Sequence, residues 1–206
     1  MNADKKIVFM DGMFPAIFFP VGPLKDGGSC EYLTEECLKY CPSHEINEHE
    51  TRALQYFEEN DAHDIIDRII KELCQESIMH LYWFSWGDCP ETLTYKITKV
   101  MFGLLRKGVL QNGFTKNPHL WKTIPFDDRL RIGYHVDTYN EIIKLSTDKN
   151  IICLPDVDVG KAELYFKGEK IARCCGIWCE WVKEKTIRIA DCQECYIYKK
   201  GCFIKD

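Results

Sequence analysis

With 206 residues the chain can bury one real core, or a core with a small appendage, and 46% hydrophobic against 29% charged residues excludes wholesale disorder. A formal net charge of −5 argues against a protein that coats nucleic acid by bulk electrostatics. No apolar run reaches membrane-spanning length, and Met1-Asn-Ala-Asp-Lys-Lys, followed by a run broken at Asp11, Gly12 and Pro15, does not resemble a secretory leader, so a soluble, cytoplasmic chain is expected.

Lys6 to Met10 and Ala16 to Phe19 are short apolar runs that predict one or two strands, after which Pro20-Val-Gly-Pro23 forces an irregular turn. From Glu45 to Glu59 the spacing of Ile46, Leu54, Tyr56 and Phe57 is loosely helical. Asp61 can start a second helix through Leu73, where Ile65, Ile66, Ile69, Ile70 and Leu73 keep helical spacing. Ile78 to Phe84 is a nearly continuous apolar run, as expected for a parallel strand covered on both faces. Pro90 opens a helix to about Lys107 that Gly108 closes. Strands follow at Val109 to Phe114, Arg131 to Val136 and Ile151 to Leu154, with helices at Pro118 to Thr123 and Tyr139 to Leu145. Strands alternating with helices predict an α/β fold with a parallel sheet, and the short length predicts a partial (β/α) barrel of about six units. After Pro155 the pattern changes: Ala162 to Phe166, a Lys-Gly-Glu turn and Lys170 to Ala172 read as a β-hairpin, and a cysteine-rich tail follows. The expected division is therefore a partial barrel over 1–155 and a cysteine-rich cap over 156–206.

The chain has twelve cysteines, and in a cytosolic protein these read as metal ligands more readily than as disulfides. Cys30, Cys37 and Cys41 are spaced C-x6-C-x3-C after Gly27, Gly28 and Ser29, close enough to wrap one metal centre. Thiolates select zinc or iron–sulfur clusters, which normally take four ligands. Either a fourth ligand comes from elsewhere, such as His44, giving a zinc knuckle, or one metal position stays open for a small molecule. His44 and His49 with Glu45 superficially resemble a metalloprotease motif, but histidines five apart do not share a helix face, which rules the motif out. Cys74 is expected to pack in the core, and Cys89 stands beside Asp88 without an assigned role.

The cysteine loop resembles that of the radical S-adenosylmethionine (SAM) superfamily, in particular small members with the C-x6-C-x3-C spacing. Trp83-Phe-Ser-Trp-Gly-Asp88, Gly113-Phe-Thr-Lys-Asn117 with Leu120-Trp121, and Leu130-Arg-Ile-Gly-Tyr-His-Val-Asp137 resemble later strands of that family in the same order. The resemblance implies that Cys30, Cys37 and Cys41 bind a [4Fe–4S] cluster whose fourth iron takes the amino and carboxylate groups of SAM. An external electron donor then drives reductive cleavage of SAM, and a hydrogen atom is taken from a substrate that the sequence does not name: a peptide, a nucleoside or a small metabolite. It also implies that Gly87 and Asp88 meet the methionyl amine, although Trp86 stands where the family has a further glycine. Asp88 as a helix cap and Thr115 to Asn117 as a solvated loop are the plainer readings of those residues. By similarity Thr115, Lys116 and Asn117 bind the SAM carboxylate or ribose, with Lys116 the natural carboxylate partner, and His135 is a pocket candidate. The tail resembles an auxiliary-cluster cap, with Cys174, Cys179, Cys192 and Cys195 as ligands of a second [4Fe–4S] cluster or a zinc ion, and Cys175 or Cys202 as substitute. The competing classes are a non-catalytic zinc-binding module with two cysteine-rich sites, docking to nucleic acid or protein, and an iron–sulfur electron carrier.

Overall fold

The computed structural model describes residues 6–11, 14–35, 37, 48–124, 127, 129–145, 151–156, 161–166 and 169–174. The chain is α/β and divides into two units, Met1–Ile132 and Gly133–Asp206. In the first unit β1 (Phe9–Asp11) runs antiparallel to β2 (Phe14–Ile17), while β2, β3 (His80–Trp83) and β4 (Leu110–Thr115) lie side by side in parallel. Helices α1 (Glu48–Glu59) and α2 (Ala62–Gln75) connect β2 to β3, and α3 (Thr94–Arg106) connects β3 to β4. The short α4 (Pro118–Thr123) precedes β5 (Leu130–His135), whose last residues belong to the second unit.

Local chemistry sets the helix ends. Asp61 accepts from the backbone N–H groups of His63 and Asp64 at 2.8 and 3.0 Å, capping α2. Asn117 accepts from those of His119 and Leu120, both at 2.9 Å, and Pro118 pre-sets the first turn of α4. The predicted helix from Pro90 begins instead as a 3-10 turn, Glu91–Leu93, before α3.

The core forms where the helices cover one face of the parallel strands. Ile17, Leu81 and Trp83 from the strands meet Ala53 and Phe57 of α1, Ile65, Ile69 and Leu73 of α2, and Ile97, Val100, Met101 and Leu104 of α3, all fully buried. Phe57 packs edge-on against both Phe19 and Trp83, with centroids 5.3 and 6.1 Å away. Leu81 and Trp83 of β3 join this cluster while His80 and Tyr82 alternate to the other side, where His80 is buried and Tyr82 half-buried, in keeping with a strand covered on both faces. Cys74 is exposed, not buried, because the buried stripe of α2 runs through Ile65, Ile69, Glu72 and Leu73 and turns Cys74 outward.

Two long-range polar contacts fasten the first unit. Glu72 of α2 accepts from the N–H groups of Ile7 and Val8 at 3.0 and 2.8 Å and pairs with Arg68. From α3, the Lys96 ammonium donates to the carbonyls of Phe57, Glu58 and Asn60 at 2.6, 3.0 and 2.8 Å, closing the C-terminal end of α1.

In the second unit β5 pairs in parallel with β6 (Ile151–Asp156), and β6, β7 (Lys161–Phe166) and β8 (Glu169–Cys174) form an antiparallel meander with a register shift at Leu164/Tyr165. The predicted hairpin is thus β7 and β8. Before α5 (Tyr139–Leu145), Glu141 accepts from the backbone N–H groups of Asp137 and Thr138 at 2.9 and 3.0 Å, so this start is capped by its own first turn. Among the described residues no helix is long and apolar enough to cross a membrane.

Candidate functional site

The three parallel strands β2, β3 and β4 end on the same side of the sheet, and the loops that follow them converge there. The loop after β2 folds tightly on itself. Ser29 N–H donates to Pro20 O at 2.8 Å, Gly28 N–H to Pro23 O at 3.0 Å and Cys30 N–H to Gly22 O at 2.9 Å. Gly28 is needed there, since a Cβ would stand 2.0 Å from the Gly22 carbonyl oxygen. Cys30 and Cys37 are both half-buried, and the Cys37 N–H donates to Thr34 Oγ1 at 3.2 Å.

At the end of β3, Phe84 adopts a φ of 53°, unusual for a bulky side chain, and its ring is held against Phe19 and Trp83 at 5.6 and 5.7 Å. The chain then passes under the first loop: Phe19 N–H donates to Trp86 O at 3.0 Å. Gly87 has a φ of 71°, and a Cβ there would lie 2.3 Å from Phe19 O and 2.7 Å from Ser29 Oγ. Its bareness therefore serves a close approach to its own chain.

Asp88 is the centre of the cluster. Its carboxylate accepts from Cys89 N–H at 2.7 Å, from Lys116 N–H at 2.8 Å and from the Thr115 hydroxyl, while its own N–H donates to Ser29 Oγ at 3.0 Å. Ser29 passes the chain on to Pro20 O at 2.8 Å. Burial pushes the Asp88 pKa up to about 6, against the pull of the three donors and the Lys116 ammonium. Asp88 caps no helix; it staples the end of β3 to the end of β4. Thr115, Lys116 and Asn117 are no solvated loop either, being 2%, 8% and 0% exposed. Asn117 Nδ2 donates to Cys89 O and Thr94 Oγ1, both at 2.9 Å, and its N–H to Thr115 Oγ1 at 2.9 Å. Lys116 Nζ reaches Thr34 Oγ1 at 3.4 Å, the same oxygen that takes the Cys37 N–H.

Gly87, Asp88, Thr115, Lys116 and Asn117, drawn from two distant stretches, thus meet the cysteine loop at Ser29 and Thr34. Those last two carry the junction and were not anticipated; a hydroxyl one residue before Cys30 and another three before Cys37 give no distinctive sequence signal. A nearly buried lysine thus lies beside a loop with two half-buried thiols, and thiolates are the side chains that select soft metals. Among the described residues no three His, Cys, Asp or Glu side chains gather to hold a metal ion. Cys41, the remaining cysteine of the loop, lies outside the described residues, as do Cys175, Cys179, Cys192, Cys195 and Cys202. Cys174 ends β8, and His135, half-buried at the end of β5, belongs to the second unit. Comparison with protein-family models, with curated proteins and with solved structures finds no match to this chain.

Proposed function

We propose that this chain is a radical SAM enzyme built on a partial (β/α) barrel, with Cys30, Cys37 and Cys41 as the ligands of a [4Fe–4S] cluster. The supporting observation is the double fastening of the cysteine loop: Asp88 N–H holds it at Ser29 and Lys116 Nζ holds it at Thr34, at the ends of two neighbouring parallel strands. A loop pinned at two points beside its thiols is suited to a metal that must keep one coordination position for a ligand. When bound, the cluster and SAM supply a one-electron cleavage of the sulfonium, with the electron from an external donor, methionine released, and a substrate hydrogen ending on 5′-deoxyadenosine. Lys116 is the partner of the SAM carboxylate, and Gly87, Asp88, Thr115 and Asn117 shape the wall around it, Asp88 as a positioning residue. His135 is retained as a pocket residue. The tail cysteines Cys174, Cys179, Cys192 and Cys195, with Cys175 or Cys202 as substitute, hold a second [4Fe–4S] cluster or zinc.

The test is anaerobic reconstitution of the full chain with iron and sulfide, followed by a reductant and SAM. A brown, oxygen-sensitive protein that forms 5′-deoxyadenosine, and loses both colour at this site and product on Cys37→Ala, is expected. A colourless zinc protein would favour the non-catalytic module, and a brown protein inert to SAM an electron carrier; either result ends the proposal.

A further inference from the structure

Cys30 has both of its sequence neighbours bound to one short turn. Ser29, before it, takes the Asp88 N–H on Oγ; Glu31, after it, takes the Glu91 N–H on Oε2 at 2.7 Å. Asp88 and Glu91 stand close together in the connection from β3 to α3, so a single turn grips the loop on either side of a thiol. Tyr32 adds to the second grip: a carboxylate can only accept, so its hydroxyl donates to Glu91 Oε2 at 2.9 Å. The two bonds run in opposite directions, from the turn N–H to a loop carboxylate and from a loop hydroxyl to the turn carboxylate, across 60 and 59 positions.

The turn uses the grip as much as the loop does. Glu91 opens the 3-10 turn Glu91–Leu93, and Pro90 before it gives no side-chain cap. A helix start leaves N–H groups without partners inside the helix, and a carboxylate placed there also meets the positive end of the backbone dipoles. Glu31 fills that place from another segment. His119 of α4 stands by the same turn, with Nε2 3.7 Å from Glu91 Oε1 and its ring 6.3 Å from that of Tyr32.

Exposed contacts of this kind add little to global stability. Their effect here is local. Every residue between Cys30 and Cys37 that is free in the empty loop has to be ordered when the two sulfurs close on one ion. Glu31 and Tyr32 held at Glu91, and Thr34 held at Lys116, leave less of that span to be ordered. We propose that Glu91, with Glu31 and Tyr32, is a positioning group for the thiol site: it fixes Cys30 from its C-terminal side, as Asp88 does from the other, and so sets how tightly the loop retains a metal. This rests on the assignment of Cys30 and Cys37 as ligands made above.

In the experiment the full chain is reconstituted anaerobically with iron and sulfide, and iron release to a chelator is followed in the wild type, Glu31→Ala, Glu31→Gln and Tyr32→Phe. Both Glu31 variants lose the same charge beside Cys30, but only glutamine keeps an oxygen for the Glu91 N–H, so their difference isolates the bond. The iron that Cys37→Ala abolishes is expected to leave about fivefold faster in Glu31→Ala and about threefold faster in Tyr32→Phe, with Glu31→Gln close to wild type. Lys6→Ala, which breaks an exposed pair with Glu76, should leave the rate unchanged. Melting curves establish that each variant is folded, and Tyr32→Phe decides if Glu31→Ala is not. A second measurement needs no cluster: alkylation of Cys30 by iodoacetamide in the iron-free chain, read by mass spectrometry, should be faster in Glu31→Ala than in Glu31→Gln. Where iron binds, release decides; where none binds, alkylation does. Equal rates in Glu31→Ala and Glu31→Gln overturn the inference. Equal release from a chain that cleaves SAM sinks the positioning role alone, whereas faster alkylation of Glu31→Ala in a chain that takes up no iron leaves the grip standing and sinks the reaction.

Discussion

Glu72 and Asp88 are both buried carboxylates that gather N–H groups from remote segments, yet they are built differently. Glu72 takes Ile7 and Val8 and has the Arg68 guanidinium in direct contact. Asp88 takes Cys89, Lys116 and the Thr115 hydroxyl, with no guanidinium among these contacts. Burial carries the Asp88 pKa up to about 6 even against its three donors and the Lys116 ammonium. The first arrangement belongs to scaffold. The second stands beside the cysteine loop, where the proposed function would place its chemistry.

The largest test of this contrast is Glu72→Ala, which removes the carboxylate from Arg68 and from two backbone donors and is expected to cost about 3–5 kcal/mol in a urea titration. A loss below about 1 kcal/mol would erase the distinction. Asp88→Asn sharpens it through pH. The folded pKa of about 6 lies above the ordinary 3.8, so wild-type stability is greatest below about pH 4 as far as this group is concerned. It then falls by about 3 kcal/mol as pH rises through 6 and stays level above. Urea titrations across that range should show the slope in the wild type and lack it in the variant; equal slopes would mean that Asp88 is already charged in the fold. Smallest in energy is Thr34→Val, about 1 kcal/mol, because only the oxygen shared by Cys37 N–H and Lys116 Nζ is removed. Its sharper reading is iron retained after reconstitution, which should fall and be restored by Thr34→Ser.

Much of the fold could be read from local chemistry. Asp61, the Asn117-Pro118 pair and Gly108 mark helix ends within a residue or two, because a cap acts on its own neighbours. The alternation of helix and strand followed from the spacing of Ile65, Ile69 and Leu73 and from the run around Leu81 and Trp83. The contacts that make the candidate site were not readable in the same way. Asp88 meets Ser29 across 59 positions and Lys116 across 28, and no periodicity records such meetings. Glu72 did leave a trace: it is a charged residue on the buried stripe of α2, one turn after Arg68, and such a residue needs a hidden partner.

For the proposed cluster, the pinched ring between Gly22 and Cys30 would have a consequence for the order of events in maturation. Three backbone hydrogen bonds and a glycine with no room for a methyl group freeze that turn as the polypeptide folds. Were the proposed cluster to form there, the sulfur of Cys30 would be presented on a backbone that has already lost its freedom, so capturing an ion would demand little further ordering from this side, and uptake would be governed by the partners still to arrive.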